Sequence, residues 1–321
     1  MPRTEDPLVF STGFATLEAR GQLDPRFLSY ACRSEPFIAS VMSRSVGVSY
    51  PAINASDLGN IDIPLPDLDE QRRIADYLDA ETARLDRVVA ARQRQLEALS
   101  ERILTTITDA FLNLDGATEI RLGYLARVQT GLTVDGGREL TGDVVTRPYL
   151  RVANVQSGYL DLEDVTEVTV PRRLAAGATL RTGDVLMTEG GDLDKLGRGT
   201  VWNGQLPGCL HQNHVFAVRP DRTKLVPEYL ALYTRSVPAR MHFERTGTKT
   251  TNLASTSSSK IKDLRVPVVP LDSQHRLYER IVKELDAMER LASALSAQIT
   301  LIKERKHALI TTVVGGLQIQ S

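Results

Sequence analysis

The sequence predicts an α+β protein: two α/β head units, the first only partial, joined by two long helices that form an antiparallel coiled-coil spacer. Three observations predict it. The chain repeats itself, since 61–81 reads IDIPLPDLDEQRRIADYLDAE and 264–284 reads LRVPVVPLDSQHRLYERIVKE. At an offset of 203 the two agree at Pro64/Pro267, Leu68/Leu271, Asp69/Asp272, Gln71/Gln274, Arg73/Arg276 and Glu81/Glu284. Each copy then opens a long segment whose apolar residues keep helical spacing, and each follows a stretch of strand and loop character. A period of about 200 residues is too long for a solenoid and indicates two large, similar units. Such a chain presents two similar faces to a two-part target.

The first unit begins near Phe14. GFATLEARGQLDPRFLSY (13–30) lies over VFAVRPDRTKLVPEYLAL (215–232) at an offset of 202, matching Phe14/Phe216, Pro25/Pro227 and Leu28/Leu230. The stretches between the anchors, 31–60 and 233–263, are loop-rich. We expect a strand at Phe14 and a helix near Pro25–Arg33. Only about a dozen residues precede Phe14, whereas the second unit has about ninety before Phe216 (120–215). The first head, 8–60, is therefore expected to lack sheet partners. Phe14, Leu17, Phe27, Leu28 and Phe37 should form an incomplete core with an unpaired strand edge and an open apolar patch.

The first long helix is expected from Asp69 to about Phe111. Asp69, after Pro64 and Pro66, suits an N-cap, and Glu70 suits the first turn. Its stripe is Ile74, Leu78, Leu85, Val88, Leu96, Leu99, Ile103, Ile107 and Ala110, with gaps built from threes and fours.

The second head, 117–265, reads as mixed α/β. Candidate strands are 147–155, 167–170, 184–189, 199–202 and 214–220, and 226–236 is an amphipathic helix. Two irregular stretches stand out. EGGDLDKLGRGT (189–200) sets four glycines around Lys195 and Arg198, and TGTKTTNLASTSSSK (246–260) is almost wholly small and polar around Lys249, Asn252 and Lys260. Such loops expose N–H groups and hydroxyls that can reach phosphates, with Arg, Lys and Asn for base edges. On composition alone, solvated connections are the somewhat stronger reading. The candidate DNA face is Lys195, Arg198, Arg245, Lys249 and Lys260, with Asn252 as a base reader.

The second helix is expected from Asp272 to Val314, stopped by Gly315-Gly316. Ile281, Met288, Leu295, Ile302 and Leu309 recur every seventh residue, accompanied by Leu277, Leu285, Ala292 and Ile299. At ~1.5 Å per residue each helix spans on the order of 60–65 Å, and a helix with one apolar stripe needs a partner for it. The repeat supplies one. An antiparallel pairing avoids crowding both heads at one end. The expected seam holds Leu78, Leu85, Leu99, Ile281, Met288, Leu295 and Ile302, so aspartate at both Leu99 and Ile302 should be strongly destabilising.

Composition sets bounds. The 321 residues suffice for two cores, and 42% hydrophobic with 25% charged residues is ordinary for a globular protein. Two distant cysteines, Cys32 and Cys209, without CxxC spacing argue against zinc and a disulfide scaffold and fit a cytoplasmic protein. No apolar run approaches a bilayer span, so no membrane partner is expected. Net charge is −1 overall, but 116–265 carries 20 Lys/Arg against 16 Asp/Glu, which permits DNA binding without indicating it. Catalytic signatures are absent: no GxxxxGK[ST], no GxGxxG opening a helix, no Asn-Pro-Pro-aromatic motif. Glu304-Arg305-Lys306 fits an ExK pattern but falls inside the long helix, where a solvated face is expected. His211 and His214 lack an acidic or Cys partner at ligand spacing, so no metal site is expected.

PLPDLDEQRRIADYLDAETARLD with its long helix, its second copy at PVVPLDSQHRL, and the strings YLRVANVQSGYLDL, LRTGDVLMTEGG, NHVFAVRP and LVPEYLALY resemble the specificity subunit of a Type I restriction–modification system. The resemblance covers nearly the whole chain. It implies a non-catalytic subunit whose two target-recognition domains each read half of a bipartite double-stranded DNA site, with the helices setting the gap. It implies methyltransferase subunits that modify adenine with S-adenosylmethionine and a restriction subunit using ATP and Mg2+, all cofactors residing on partners. The domains then fall at 1–63 (C-terminal part of the first recognition domain), 64–115 (spacer helix), 116–267 (second recognition domain) and 268–321 (second helix and tail). The short first domain departs from the pattern: a separate polypeptide could complete it, the start could be misassigned, or the domain could be a non-functional remnant. Two other readings stay open: a degenerate subunit acting only as a helical scaffold, and an enzyme without a known signature.

Overall fold

The computed structural model describes residues 13–47, 51–134, 142–191, 196–197, 199–249 and 254–316. In chain order the elements are α1 (Pro25–Ala31), α2 (Glu35–Arg44), α3 (Ala55–Gly59) and α4 (Leu68–Leu112), then β1 (Thr118–Arg121), β2 (Ala126–Thr130), β3 (Val144–Leu150) and β4 (Thr166–Pro171). There follow α5 (Arg172–Ala178), β5 (Val185–Thr188), β6 (Gly190–Gly191), β7 (Gly199–Val201), β8 (Leu210–His211) and β9 (Val215–Pro220). The chain continues through α6 (Pro227–Thr234), α7 (Val237–Thr246), β10 (Thr248–Lys249), β11 (Ala254–Ser255), α8 (Ser258–Asp263), β12 (Arg265–Val268) and α9 (Leu271–Val314). Two compact units result. Unit 1 lies within Met1–Glu97 and Ala292–Ser321, and unit 2 is Ala98–Leu291.

Both long helices match the sequence reading to within a residue, but their caps differ from it. Asp67, not Asp69, begins α4: its carboxylate accepts from Glu70 N at 2.8 Å, and its carbonyl accepts the first helical bond from Gln71 N. Asp69 is inside the first turn. In α9 the position equivalent to Asp67 is Pro270, whose carbonyl accepts from Gln274 N, so Asp272 is likewise a first-turn residue. Gly316, at φ +89°, follows the last turn of α9.

Unit 1 packs α1 against the start of α4 and the end of α9. Its core is Phe27, Tyr30, Ala31, Ile74, Leu78, Ile310, Val313 and Val314. Low numbers of α4 meet high numbers of α9, and Asp86 receives Lys306 Nζ at 2.6 and 2.7 Å, so here the helices run antiparallel. Lys306 of the ExK-like string is thus an interhelical cation. The expected strand at Phe14 does not form: residues 14–20 are irregular, with Phe14 70% and Leu17 46% exposed. A strand needs neighbours for its backbone groups, and the described part of unit 1 offers only the bridge between Val46 and Ala52. Of the five residues expected in this core, Phe27 is buried and Leu28 and Phe37 are half-buried.

Unit 2 contains the same arrangement and adds to it. At offsets of 202 and 203 the eight core residues of unit 1 fall on Tyr229, Leu232, Tyr233, Leu277, Ile281, Ile107, Ala110 and Phe111, all in one core. Phe111 meets Tyr229 and Tyr233 edge to face, at 5.0 Å each. The shared feature is most explicit at Gln71 and Gln274, both fully buried. Gln71 Nε2 donates to the carbonyls of Gln22 and Pro66, and its Oε1 accepts from Asp24 N. Gln274 Nε2 donates to the carbonyls of Lys224 and Val269, and its Oε1 accepts from Val226 N. These partners are themselves repeat equivalents. So are Ser34 and Ser236, each bonding the carbonyl three residues earlier at 2.7 Å. The pattern extends to the opening amides of α2 and α7: Glu35 N donates to Thr311 Oγ1 and Val237 N to Thr108 Oγ1.

The additional part of unit 2 holds sheets β2-β9-β5-β7, β4-β3-β8, β10-β11-β6 and β1-β12, antiparallel except for β3 with β8. Strands β4, β5, β7 and β9 and helix α6 occupy the stretches that the sequence marks for them, whereas β3 ends at Leu150 and Val152–Asn154, expected as strand, is a 3-10 turn. Arg219 on β9 forms a two-pronged pair at 2.7 Å with the buried Asp184, just before β5.

Candidate nucleic-acid interface

The two irregular stretches of the second head meet. β11 lies between β10 and β6, with Ala254 opposite Gly191 on one side and Lys249 on the other. Thr256 N donates to Glu189 O at 2.7 Å, which extends this contact by one rung. The Gly-rich and Ser/Thr-rich stretches therefore form one surface, although about sixty residues separate them in sequence.

Helices α7 and α8 flank the small sheet. Arg245 stands exposed in the last turn of α7. Ser257 caps α8 by accepting from Lys260 N, and Lys260 Nζ reaches Thr248 Oγ1 on β10 at 2.9 Å. His242 Nε2 contacts Lys260 O at 2.8 Å, fixing α8 to α7. An ammonium has three donors, so Lys260 keeps donors for another acceptor beside the Thr248 hydroxyl. Of the six residues expected at a DNA face, Arg245 and Lys260 are described in full. The backbone of Lys249 pairs in β10. The Lys249 side chain and Lys195, Arg198 and Asn252 lie outside the described residues.

Two glycines of the first stretch have packing roles. Gly197 has φ +65°, and a Cβ there would meet the Phe243 ring at 2.3 Å. A Cβ at Gly199 would lie 2.5 Å from Thr234 Oγ1. Both are buried, so they let the strand approach α6 and α7 closely.

His214 and Glu189 form a pair that the sequence reading missed, Nδ1 to Oε2 at 2.5 Å. Only the structure shows it: β5 and β9 are antiparallel with Thr188 opposite Val215, which sets 189 beside 214. His211 is wholly buried, its Nδ1 2.6 Å from Val215 O, and burial pushes its pKa down. It is a neutral core histidine. Among the described residues no three His, Cys, Asp or Glu side chains gather as metal ligands, and no helix is long and apolar enough to cross a membrane. Burial raises the Cys209 thiol to about 12, which leaves it protonated and unreactive.

The equivalent face of unit 1 differs in charge. The positions matching Arg245, Lys249 and Lys260 are Ser43, Gly47 and Asp57. Asn54 repeats the cap of Ser257, accepting from Asp57 N, and Arg44 is drawn to the carbonyls of Asp57 and Asn60.

Comparison with known proteins gives a consistent set. The family of the Type I restriction modification DNA specificity domain matches residues 3–98. The EcoKI specificity subunit of Escherichia coli (strain K12) is 23% identical over 308 residues, covering 90% of this chain and 64% of that subunit. The StySPI specificity subunit of Salmonella potsdam is 21% identical over 307 residues, covering 91% and 64%. A putative MjaX specificity subunit of Methanocaldococcus jannaschii is 22% identical over 184 residues, covering 57% and 41%. The chain thus spans less than two thirds of each of these relatives. A solved chain from work on complex assembly and conformational transition of the type I R-M system has the same fold, with TM-score 0.65 and 22% identity over 91% of this chain and 71% of that one.

Proposed function

We propose that this chain, which carries a Type I restriction–modification DNA specificity domain at 3–98, is a sequence-specific DNA-recognition subunit that directs adenine methylation and restriction through partners. One observation carries the reading. The matched segment is repeated in the second unit down to the buried glutamine and its three partners. What the family implies for one unit therefore extends to the other, and a chain with two such units suits a bipartite site.

In this reading the chain is not the catalytic member. It contacts double-stranded DNA, methyltransferase subunits bind the spacer and heads, and a restriction subunit joins for cleavage. S-adenosylmethionine, ATP and Mg2+ belong to those partners. The domains run 1–63, 64–115, 116–267 and 268–321. Arg245, Lys260, Lys249, Lys195 and Arg198 contact phosphates, and Asn252 reads a base. Leu85, Leu99, Leu295 and Ile302 continue the helix seam. A further polypeptide completes the first head.

The test is DNA binding by the assembled complex across a salt series. Alanine at one phosphate-contacting cation should weaken binding to all sequences and lower the salt slope by about one. Alanine at Asn252 should relax specificity at one position of one half-site. Unchanged affinity and slope with all five cations replaced would place the DNA elsewhere. The scaffold reading draws on the charge of unit 1, where Ser43, Gly47 and Asp57 stand for three cations. It predicts partner binding without sequence preference.

A further inference from the structure

Glu189 lies between β5 and β6, where the four-stranded sheet adjoins the small sheet of the candidate interface. Its N–H donates to His214 O at 2.8 Å, and its carbonyl accepts from Thr256 N at 2.7 Å. Its carboxylate faces His214 Nδ1. A carboxylate accepts and does not donate, so Nδ1 carries the proton and donates. His214 is held as firmly. It lies in the turn between β8 and β9, where Asn213 N donates to Leu132 O and Val215 N to Gln212 O, both at 2.9 Å. Its Nε2 faces Asn213 Nδ2 at 3.4 Å. Both side chains still reach solvent, His214 at 54% and Glu189 at 29% exposed.

A carboxylate at a phosphate-binding surface repels the backbone it meets, and an ion pair this exposed adds little to stability. Its use lies in its lone pairs. A carboxylate offers about four acceptor positions, and His214 takes one. An acceptor fixed in place suits one base edge of the major groove. Cytosine presents only its N4 amino group there. Guanine and thymine present acceptors, and adenine sets the N7 acceptor beside its amino group.

We propose that Glu189 is a specificity-determining residue of the second head, its carboxylate accepting from N4 of one cytosine in the half-site. His214 is the positioning residue that aims it. A group carried at strand ends and bonded through both backbone and side chain holds its geometry better than one on a loop. The proposal rests on the DNA-recognition reading above and adds a base contact to it.

The test uses the full chain assembled with its methyltransferase partners and duplexes carrying the motif mapped for that complex. Each cytosine of both half-sites is replaced in turn by thymine, which sets the O4 acceptor where N4 was. In the parent one such change should weaken binding about tenfold or more. In Glu189→Gln that penalty should largely disappear, because an amide turns either its oxygen or its nitrogen to the base. Penalties at the other positions and the salt slope should stay as in the parent. His214→Ala should lower the same penalty and no other. A Glu189→Gln complex that keeps every penalty overturns the proposal. So does one that loses all penalties together, which makes the pair a structural prop, or one that only binds every duplex more tightly, which sets the carboxylate beside phosphate alone. A parent with sequence preference but no cytosine penalty also overturns it and leaves DNA recognition standing. A parent that binds all duplexes equally refutes the recognition reading itself, and this proposal with it.

Discussion

Gln71 and Gln274 are where the repeat is most constrained. Each amide satisfies two carbonyls and one N–H at partly or fully buried bonds, and a buried group left without a partner costs about 1–3 kcal/mol. Gln274→Leu should therefore destabilise the chain by at least about 2 kcal/mol in urea unfolding, and Gln71→Leu by a similar amount in unit 1. The sequence showed the matched glutamines but not their role, because the bonded carbonyls lie up to fifty residues away. His211 was legible only as a poor metal candidate. Its folded pKa lies below the ordinary 6.5 because burial disfavours the charged ring. The unfolded chain binds the extra proton, so this stability is present above pH ~6.5 and is lost as pH falls towards the folded value. Denaturation midpoints at pH 8 and pH 5.5 should differ less in His211→Gln than in the parent.

The long helices were readable because their signal is periodic and local. Their caps were harder, because three acidic residues, Asp67, Asp69 and Glu70, compete at one end of α4, and only geometry selects Asp67. Asp67→Ala should cost about 1 kcal/mol and Asp69→Ala little, as measured by chemical denaturation. Packing dominates where the helices meet. Leu78→Ala and Ile281→Ala, at equivalent and fully buried positions, should each cost about 2–5 kcal/mol. Asp86→Ala, which removes a largely exposed ion pair with Lys306, should cost under about 1 kcal/mol. The strand expected at Phe14 is not among the observed elements: 14–20 are irregular.

For the molecule as a whole, the duplication was legible from six matched residues, and the proposed class of function came from the family resemblance of the strings that carry them. The candidate DNA face was legible only as two unusual stretches. Their meeting in the β6–β11–β10 sheet depends on a pairing between residues about sixty apart, and side-chain identity cannot specify that. If the two heads read separate half-sites, mapping of methylated adenines in the host with and without this gene should yield a split motif. Replacing Lys260 and Arg245 should erode only one half of it.

The two units differ in how the chain builds them. Unit 2 is one continuous stretch, Ala98–Leu291, whereas unit 1 needs Ile310, Val313 and Val314 to close around Phe27 and Leu78. During synthesis the second unit can fold as it emerges. The first must wait, its apolar face uncovered, until nearly the last turn of α9 leaves the ribosome. A chain ended after Leu291 should keep a protease-resistant 98–291 and be cleaved readily within 25–91.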